Sequence, residues 1–420
     1  MKSLLALLLL LVSLAPMTSR GGENPFPGDN ESQWISIRAN GKEARTKAVE
    51  LGMSIETVVN DMSYGFAPMS IVQKLQKNGV DVVTYFPASV IRNHDFPGKD
   101  SVFHDYKRME AAMDDLAAKF PNLVKKFTIG KTLEGRDIVG VRINSHAKNA
   151  TELTGQPGIV FMGGHHAREH LSVEMPIMYA QHLVSNYGKD PTVTSLIDNR
   201  DIYFIPMVNA DGAEFDISTG NYQMWRKNRR PNQGNKCDGV DINRNYGYRW
   251  GTGGSSTDPC SDVYMGASAF SEPETRAVKA FVESRPNVKI LLTFHTYSEL
   301  ILYPWGSSYD PITKSDDLAA YKTMADTMAR WNGYTAEQSS ELYITSGDTT
   351  DWSYGQLGIF SFTFELSPRD SWGGGGFYPG AEAIQKTFDA NMRPVLYLID
   401  LADEPHRAHS APQTTLFYGK

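Results

Sequence analysis

In the segment GIVFMGGHHAREHLSVEM, His166 and Glu169 stand three residues apart, just after an apolar run and a glycine pair, and His295 ends a second apolar run, VKILLTFH. Imidazole nitrogen and carboxylate oxygen are donors that a zinc ion takes. Three of them, with the fourth position left to water, make a catalytic centre rather than a structural one. Glycines after a buried strand let the backbone come close to whatever is bound. The same letters also fit HxxEH, His166 through His170, in which both histidines ligate and the glutamate is the base. That arrangement needs both histidines on one helical face, whereas here the motif lies in the turn after a strand, and Ser172 marks the expected helix start. His166, Glu169 and His295 are therefore the expected ligands of one zinc ion per chain, and His165 and His170 fall to packing or to support of the ligands.

The elements that must position these residues are visible as alternating patterns. GIVFMG, DIYFIPMVN, VKILLTFH and IFSFTFEL are nearly all apolar, as strands are when helices cover both faces of their sheet. VKKFTIG and DIVGVRI read as two further strands. Between and around them, MEAAMDDLAAKF carries Met109, Met113, Leu116 and Phe120 at helical spacing, SVEMPIMYAQHLVSNYG runs as a helix from Ser172 to Gly188, and SEPETRAVKAFVES opens with Ser271 and Glu274 in capping-box spacing. A last helix, AEAIQKTFDANMRPVLYLIDLAD, closes the unit. This alternation predicts an α/β domain over 96–403, with a mixed, mainly parallel sheet flanked by helices and ligands at the carboxyl ends of its strands. His166, Asn209, His295 and Glu365 all fall on that rim. A glutamate ending an apolar strand suggests function, with a buried ion pair as the alternative.

A different pattern precedes this domain. MKSLLALLLLLVSLAP has one lysine and then an apolar run too short to span a bilayer, which predicts a signal peptide over 1–19 and a secreted protein, extracellular or periplasmic. Residues 20–95 read as a small α+β prosegment: QWISIRAN as a strand, SIETVVNDM and SIVQKLQKNG as helix-like pieces, VDVVTYFP as a strand. The polar VIRNHDFPGKD is the expected linker, open to an activating protease near Arg92, and 404–420 is a C-terminal tail. A net charge of −7 excludes a nucleic-acid partner, whose phosphates demand a basic face. No membrane association is expected once the signal is removed. The only two cysteines, Cys237 and Cys260, form an even pair that in an oxidising compartment reads as one disulfide.

The ordered motifs HAREH, MWRKNR, DINRN, FHTYSELILYPWG, GDTTDWSY and FTFEL, from about Tyr106 to Ala402, resemble the zinc metallocarboxypeptidases of the carboxypeptidase A and B type. HHAREHLSVEM is most similar to the bacterial carboxypeptidase T branch. The resemblance implies zinc on His166, Glu169 and His295, Asp241 as the carboxylate behind the first histidine, Glu365 as general base, and Arg229 as the arginine that stabilises the oxyanion. It implies that Asn243 and Arg244 grip the free C-terminal carboxylate of a peptide, a task that suits the planar fork of guanidinium. Tyr343 would close over that terminus, and Arg168 and Tyr297 would line the next subsites. Arg226, Lys227 and Arg230 are left as a solvated basic run.

Thr350 stands where the family has an apolar residue for hydrophobic substrates and an acid for basic ones. Asp348 either pairs with a basic substrate side chain or braces the turn, and Gly306, Gln338 and Thr363 complete the pocket. The cysteines match positions bridged in pancreatic members. This chain departs from those members at His170, where they have an aromatic residue, and at Thr296, where they often have serine. The implied protein is a monomeric secreted zymogen that releases single hydrophobic residues, with basic ones left open, from peptide or protein C-termini. Calcium is compatible with the resemblance, but no residues are assignable to it. Two other readings are a binding module that has lost its chemistry, which none of the ligands supports by its absence, and a cell-wall peptide amidase, against which Asn243, Arg244 and Tyr343 count.

Overall fold

The computed structural model describes residues 31–88, 98, 100–147, 155–234, 237–369 and 376–410, so the signal segment, the Arg92 cleavage point and the end of the tail lie outside the described residues. The N-terminal unit consists of β1 (Ser32–Arg38), α1 (Lys42–Leu51), β2 (Ser54–Val59), β3 (Met62–Pro68), α2 (Met69–Lys77) and β4 (Asp81–Pro87). Its sheet is antiparallel in the order β2-β3-β1-β4. Val49 of α1 and Ile71, Val72 and Leu75 of α2 pack with Ile35 and Ile37 in its core. SIETVVNDM, expected as helix-like, is mostly strand β2. Its β-branched Ile55, Thr57, Val58 and Val59 favour a pleated surface, and Asn60, at φ 58°, turns the chain into β3.

The larger unit contains α3 (Tyr106–Lys119), β5 (Val124–Lys131), β6 (Asp137–Ile143), β7 (Gly158–Met162), α4 (His170–Asn186), α5 (Pro191–Asn199), β8 (Asp201–Ile205) and α6 (Ala210–Ile217). It continues with α7 (Pro273–Glu283), β9 (Val288–Thr296), β10 (Leu300–Tyr303), α8 (Ser315–Asn332), β11 (Thr335–Gln338), α9 (Thr349–Leu357), β12 (Phe360–Leu366) and α10 (Glu382–Leu401). The eight strands run in the order β11-β10-β12-β9-β7-β8-β6-β5. The central β12, β9, β7 and β8 are mutually parallel, while β10 and β6 join them antiparallel. The expected mixed sheet is thus present, parallel in the middle where both faces are covered.

Alternate residues of the central strands feed two cores. Ile159, Phe161, Phe204 and Phe294 face α4, α8 and α10, whereas Val160, Met162, Tyr203 and Leu291 face α7 and Trp352 of α9. Two local expectations shift. α4 begins at His170 rather than Ser172. The capping box at Ser271 does not form, because Glu272 is the N-cap of α7 and Glu274 turns inward to Asn228.

Gly163 and Gly164 carry the chain from β7 to the rim. Gly163 has no room for a side chain: a Cβ there would lie 2.1 Å from the Ser172 carbonyl oxygen and 2.9 Å from that of Pro206. Gly163→Ala should therefore cost about 2–3 kcal/mol of stability in urea unfolding. Gly135→Ala, at φ +90° in open space, should cost only about 1 kcal/mol.

Candidate active site

His166 sits in the turn after the glycine pair, and Glu169 is the N-cap residue of α4, which puts its carboxylate at the positive end of the helix. His295 is the penultimate residue of β9, on the adjoining strand. The three side chains converge. His166 Nδ1 lies 2.7 Å from Glu169 Oε1, His295 Nδ1 lies 3.0 Å from Glu169 Oε2, and the two Nδ1 atoms are 3.2 Å apart. Donors about 2.1 Å from one ion at tetrahedral angles stand about 3.4 Å from each other, so the trio matches the spacing of zinc ligands. Among the described residues it is this group whose ligand atoms all fall within 4.8 Å of one another. Burial, only partly offset by Glu169, pushes His295 below the usual imidazole range, which favours the neutral form that ligates metal. His170 turns away, 3.0 Å from Asp216, so the HxxEH arrangement is not the one built.

Asp241 organises the next layer. Its Oδ1 lies 3.1 Å from His166 Nε2, and its Oδ2 accepts from Arg226 Nε at 3.1 Å and Nη2 at 3.0 Å. Against the cost of burial, Arg226 and His166 hold the Asp241 carboxyl well below its ordinary range. Arg226 in turn is kept charged, despite its own burial, by Asp241, Glu56 and Glu169. His165 lies behind the ligands, its ring stacked on His295 and its nitrogens facing Thr293 Oγ1 at 3.1 Å and Tyr246 OH at 3.0 Å.

His166, Glu169 and Arg226 open on a cavity of about 530 Å³ lined also by Asn243, Arg244, Glu365, Tyr297, Tyr343, Asp348 and Thr350. Glu365 is set beside His295 by the register of β12 on β9. Desolvation, reinforced by the charges of Glu169 and Glu56 and opposed by Arg226 and Arg244, pushes its carboxyl well above the usual range. Asn243 Oδ1 accepts from both the backbone N–H of Thr349 at 3.0 Å and its hydroxyl at 2.8 Å, which leaves the amide NH2 as the end facing the cavity. Arg244 is fixed by Nε to Gly254 O, 3.2 Å, and Nη1 to Asn243 O, 2.9 Å. Asp348 caps α9, with Oδ1 accepting from Asp351 N and Thr350 Oγ1 and Oδ2 from Thr345 Oγ1. The Cys237–Cys260 disulfide is present and closes the loop that carries Asp241, Asn243 and Arg244.

Three expectations need correction. Arg229 is not at the cavity; its guanidinium stacks over Phe215 at 3.6 Å and Trp225 at 4.9 Å. Arg226, expected as part of a solvated run, is the arginine beside the ligands, and Lys227 is buried too, donating to Pro259 O at 2.6 Å. Met224, Arg226, Lys227 and Asn228 are buried while Trp225 and Arg229 are half-buried, a pattern that no apolar periodicity in MWRKNR announces. Asn209 lies on the rim but serves as N-cap of α6, donating to the carbonyls of His165 and Lys227. Arg168 is wholly buried beneath Glu56 of the N-terminal unit.

The sequence matches the zinc carboxypeptidase family over residues 109–394. A zinc carboxypeptidase of Saccharothrix mutabilis subsp. capreolus is 36% identical over 321 residues, 74% of this chain and 72% of that one. Rat carboxypeptidase A1 is 33% identical over 355 residues, 83% and 79% of the two chains. The crystal structure of a carboxypeptidase A from Helicoverpa armigera has the same fold, with a TM-score of 0.74 at 24% identity, covering 91% of this chain and 99% of that one.

Replacing Asp241 by Asn removes the charge that fixes His166. Zinc affinity, read by competition with a chelating dye, is expected to fall about 10- to 100-fold.

Proposed function

The chain belongs to the zinc carboxypeptidase family, and on that premise we propose that it is a secreted zymogen whose cut form removes the last residue from peptides bearing a free C-terminal carboxylate. The observation that carries this reading is that the His166, Glu169 and His295 cluster opens, through His166 and Glu169, on the cavity that Asn243 and Arg244 line. Zinc held by those three side chains supplies Lewis acidity, which acidifies water and polarises a carbonyl. Glu365 takes the proton from the attacking water and returns it to the leaving amine, a role that its place beside His295 on the adjoining strand suits. Arg226, in place of the expected Arg229, donates to the oxygen on which charge develops. Asn243 and Arg244 receive the substrate carboxylate, and Tyr343 covers it.

Substrate choice follows from the other end of the cavity. Thr350 and Thr363 leave room for a large apolar side chain. Both oxygens of Asp348 are engaged, Oδ1 in capping α9 and Oδ2 with the Thr345 hydroxyl, so it serves a hydrophobic pocket first and a basic side chain second. Recognition of a terminal carboxylate through Asn243, Arg244 and Tyr343 again favours this reading over a peptide amidase, and the complete ligand set favours it over a silent binding module.

The N-terminal unit supports the zymogen reading because it grips the segment that carries Tyr343. Tyr343 OH donates to Ile55 O at 3.1 Å, Ile344 N donates to Thr46 Oγ1 at 2.9 Å, and Arg45 Nη2 donates to Glu341 O at 2.8 Å. Removing the unit after a cut in the linker frees that segment. The disulfide suits an oxidising compartment, and among the described residues no helix is long and apolar enough to cross a membrane. A monomer and an external activating protease complete the proposal.

A blocked peptide ending in phenylalanine tests it. The cut enzyme is expected to release phenylalanine from the free acid and not from the C-terminal amide, and the uncut chain to be slower on the free acid; equal cleavage of acid and amide overturns the carboxylate assignment. Arg226→Lys should lower kcat about a hundredfold, because a point charge cannot replace the guanidinium fork. Arg229→Met should stay within about threefold of wild type, since its contacts lie outside the cavity.

A further inference from the structure

His165, next in the chain to the ligand His166, is held at its backbone and at both ring nitrogens, and it touches both halves of the active site. Its carbonyl oxygen accepts from Asn209 Nδ2 at 3.1 Å, and its ring stacks on that of His295 with centroids 5.6 Å apart. Nδ1 faces Thr293 Oγ1, in β9, at 3.1 Å. Nε2 faces two oxygens, Tyr246 OH at 3.0 Å and Thr349 Oγ1, in the first turn of α9, at 3.3 Å. Thr349 in turn gives its backbone N–H and its hydroxyl to Asn243 Oδ1, at 3.0 and 2.8 Å. A line of contacts therefore runs from Thr293 through His165 and Thr349 to Asn243.

The polarity of this line follows from its ends. The oxygen of the Asn243 amide is identified by the Thr349 N–H, which can only donate. Thr349 has one hydroxyl proton and it goes to that oxygen, so a lone pair of Oγ1 is what meets His165. None of the hydrogen-bond partners of the ring is a carboxylate, so the buried ring is neutral and carries one N–H. That N–H sits on Nε2, shared between Thr349 and Tyr246, and Nδ1 accepts from the Thr293 hydroxyl. His165, Thr293 and Thr349 are all 0% exposed, so solvent does not compete for these bonds.

We propose that His165 is a positioning residue: through Thr349 it fixes Asn243 at a set distance from the metal ligands, so that the terminal carboxylate and the scissile carbonyl of a peptide, one residue apart, reach the grip and the metal together. The proposal rests on the carboxypeptidase reading and adds to it a residue that lies outside the cavity lining. Its loss is felt by molecules that span both points and not by those that hold the metal alone.

The test uses the full chain, zinc-loaded and cut in the linker, with two compounds whose Kd is read by titration calorimetry: 2-benzylsuccinate, whose two carboxylates span metal and grip, and acetohydroxamate, which holds the metal alone. Thr293→Val, similar in shape and outside the cavity lining, removes the proton that Nδ1 accepts. The ring is then free to carry its N–H on Nδ1 and present a lone pair at Nε2, which draws the Thr349 hydroxyl off Asn243. Kd for benzylsuccinate is expected to rise about fivefold while that for acetohydroxamate stays within about twofold of wild type, and Thr293→Ser should restore the first value. His165→Gln, whose amide places an N–H where Nε2 stands, should hold benzylsuccinate within about twofold, whereas His165→Asn, whose shorter amide reaches only the Nδ1 position, should weaken it about fivefold. Because His165 is buried and its replacement is capable of impairing folding, the Thr293 pair decides the matter by itself. Thr293→Val binding benzylsuccinate as wild type does, or losing both compounds alike, overturns the proposal, as does failure of Thr293→Ser to restore binding. Release of phenylalanine by the wild type from a blocked peptide tests the carboxypeptidase reading separately, so the two can fail independently.

Discussion

One buried carboxylate, that of Asp241, divides its oxygens between His166 and Arg226, and much of the active site follows from that division. A charge removed from water must be compensated by partners of fixed geometry. Here the compensation orients a metal-ligand candidate, His166, on one side and the proposed oxyanion donor, Arg226, on the other. The same loop then supplies Asn243 and Arg244, so the proposed ligands, polarising group and substrate grip share one rigid reference. Glu169 completes the frame from the start of α4, where the helix dipole favours its negative charge.

The sheet sets the remaining distances. Because β12 and β9 are parallel and in register at Glu365 and His295, the proposed base stands beside a metal ligand without any loop having to place it. Carboxyl ends of parallel strands form a natural rim for ligands, and the N-terminal unit lies across that rim. It meets the larger unit through polar contacts, Glu56 on Arg168, Ile55 on Tyr343 and Arg45 on the 341–342 carbonyls, and through apolar ones, with Phe66 against Phe377 and Val263 packed into its core.

Residues fixed by the periodicity of a strand were legible in the sequence. His295 and Glu365 could be placed because each ends an apolar run, and His166 and Glu169 because they follow one across a glycine pair. Residues on irregular backbone were not. Arg226 and Arg229 lie three apart in an extended segment where motif matching alone does not say which turns inward; the choice is made by Asp241, which approaches from elsewhere in the fold, and by Trp225, which holds Arg229 outside. β2 was misread because a short stretch of mixed apolar and polar residues fits either period, and its pairing with β3 decided the outcome. Nothing local could have announced Glu56, since its partner is Arg168, 112 positions away.

The covalent link between Cys237 and Cys260 ties together the loop that bears Asp241, Asn243 and Arg244. In thiol-rich surroundings that tether would open, and ion retention and peptide capture would slacken together instead of one after the other. For the secreted enzyme proposed above, an oxidising compartment is thus what keeps the three side chains in one frame.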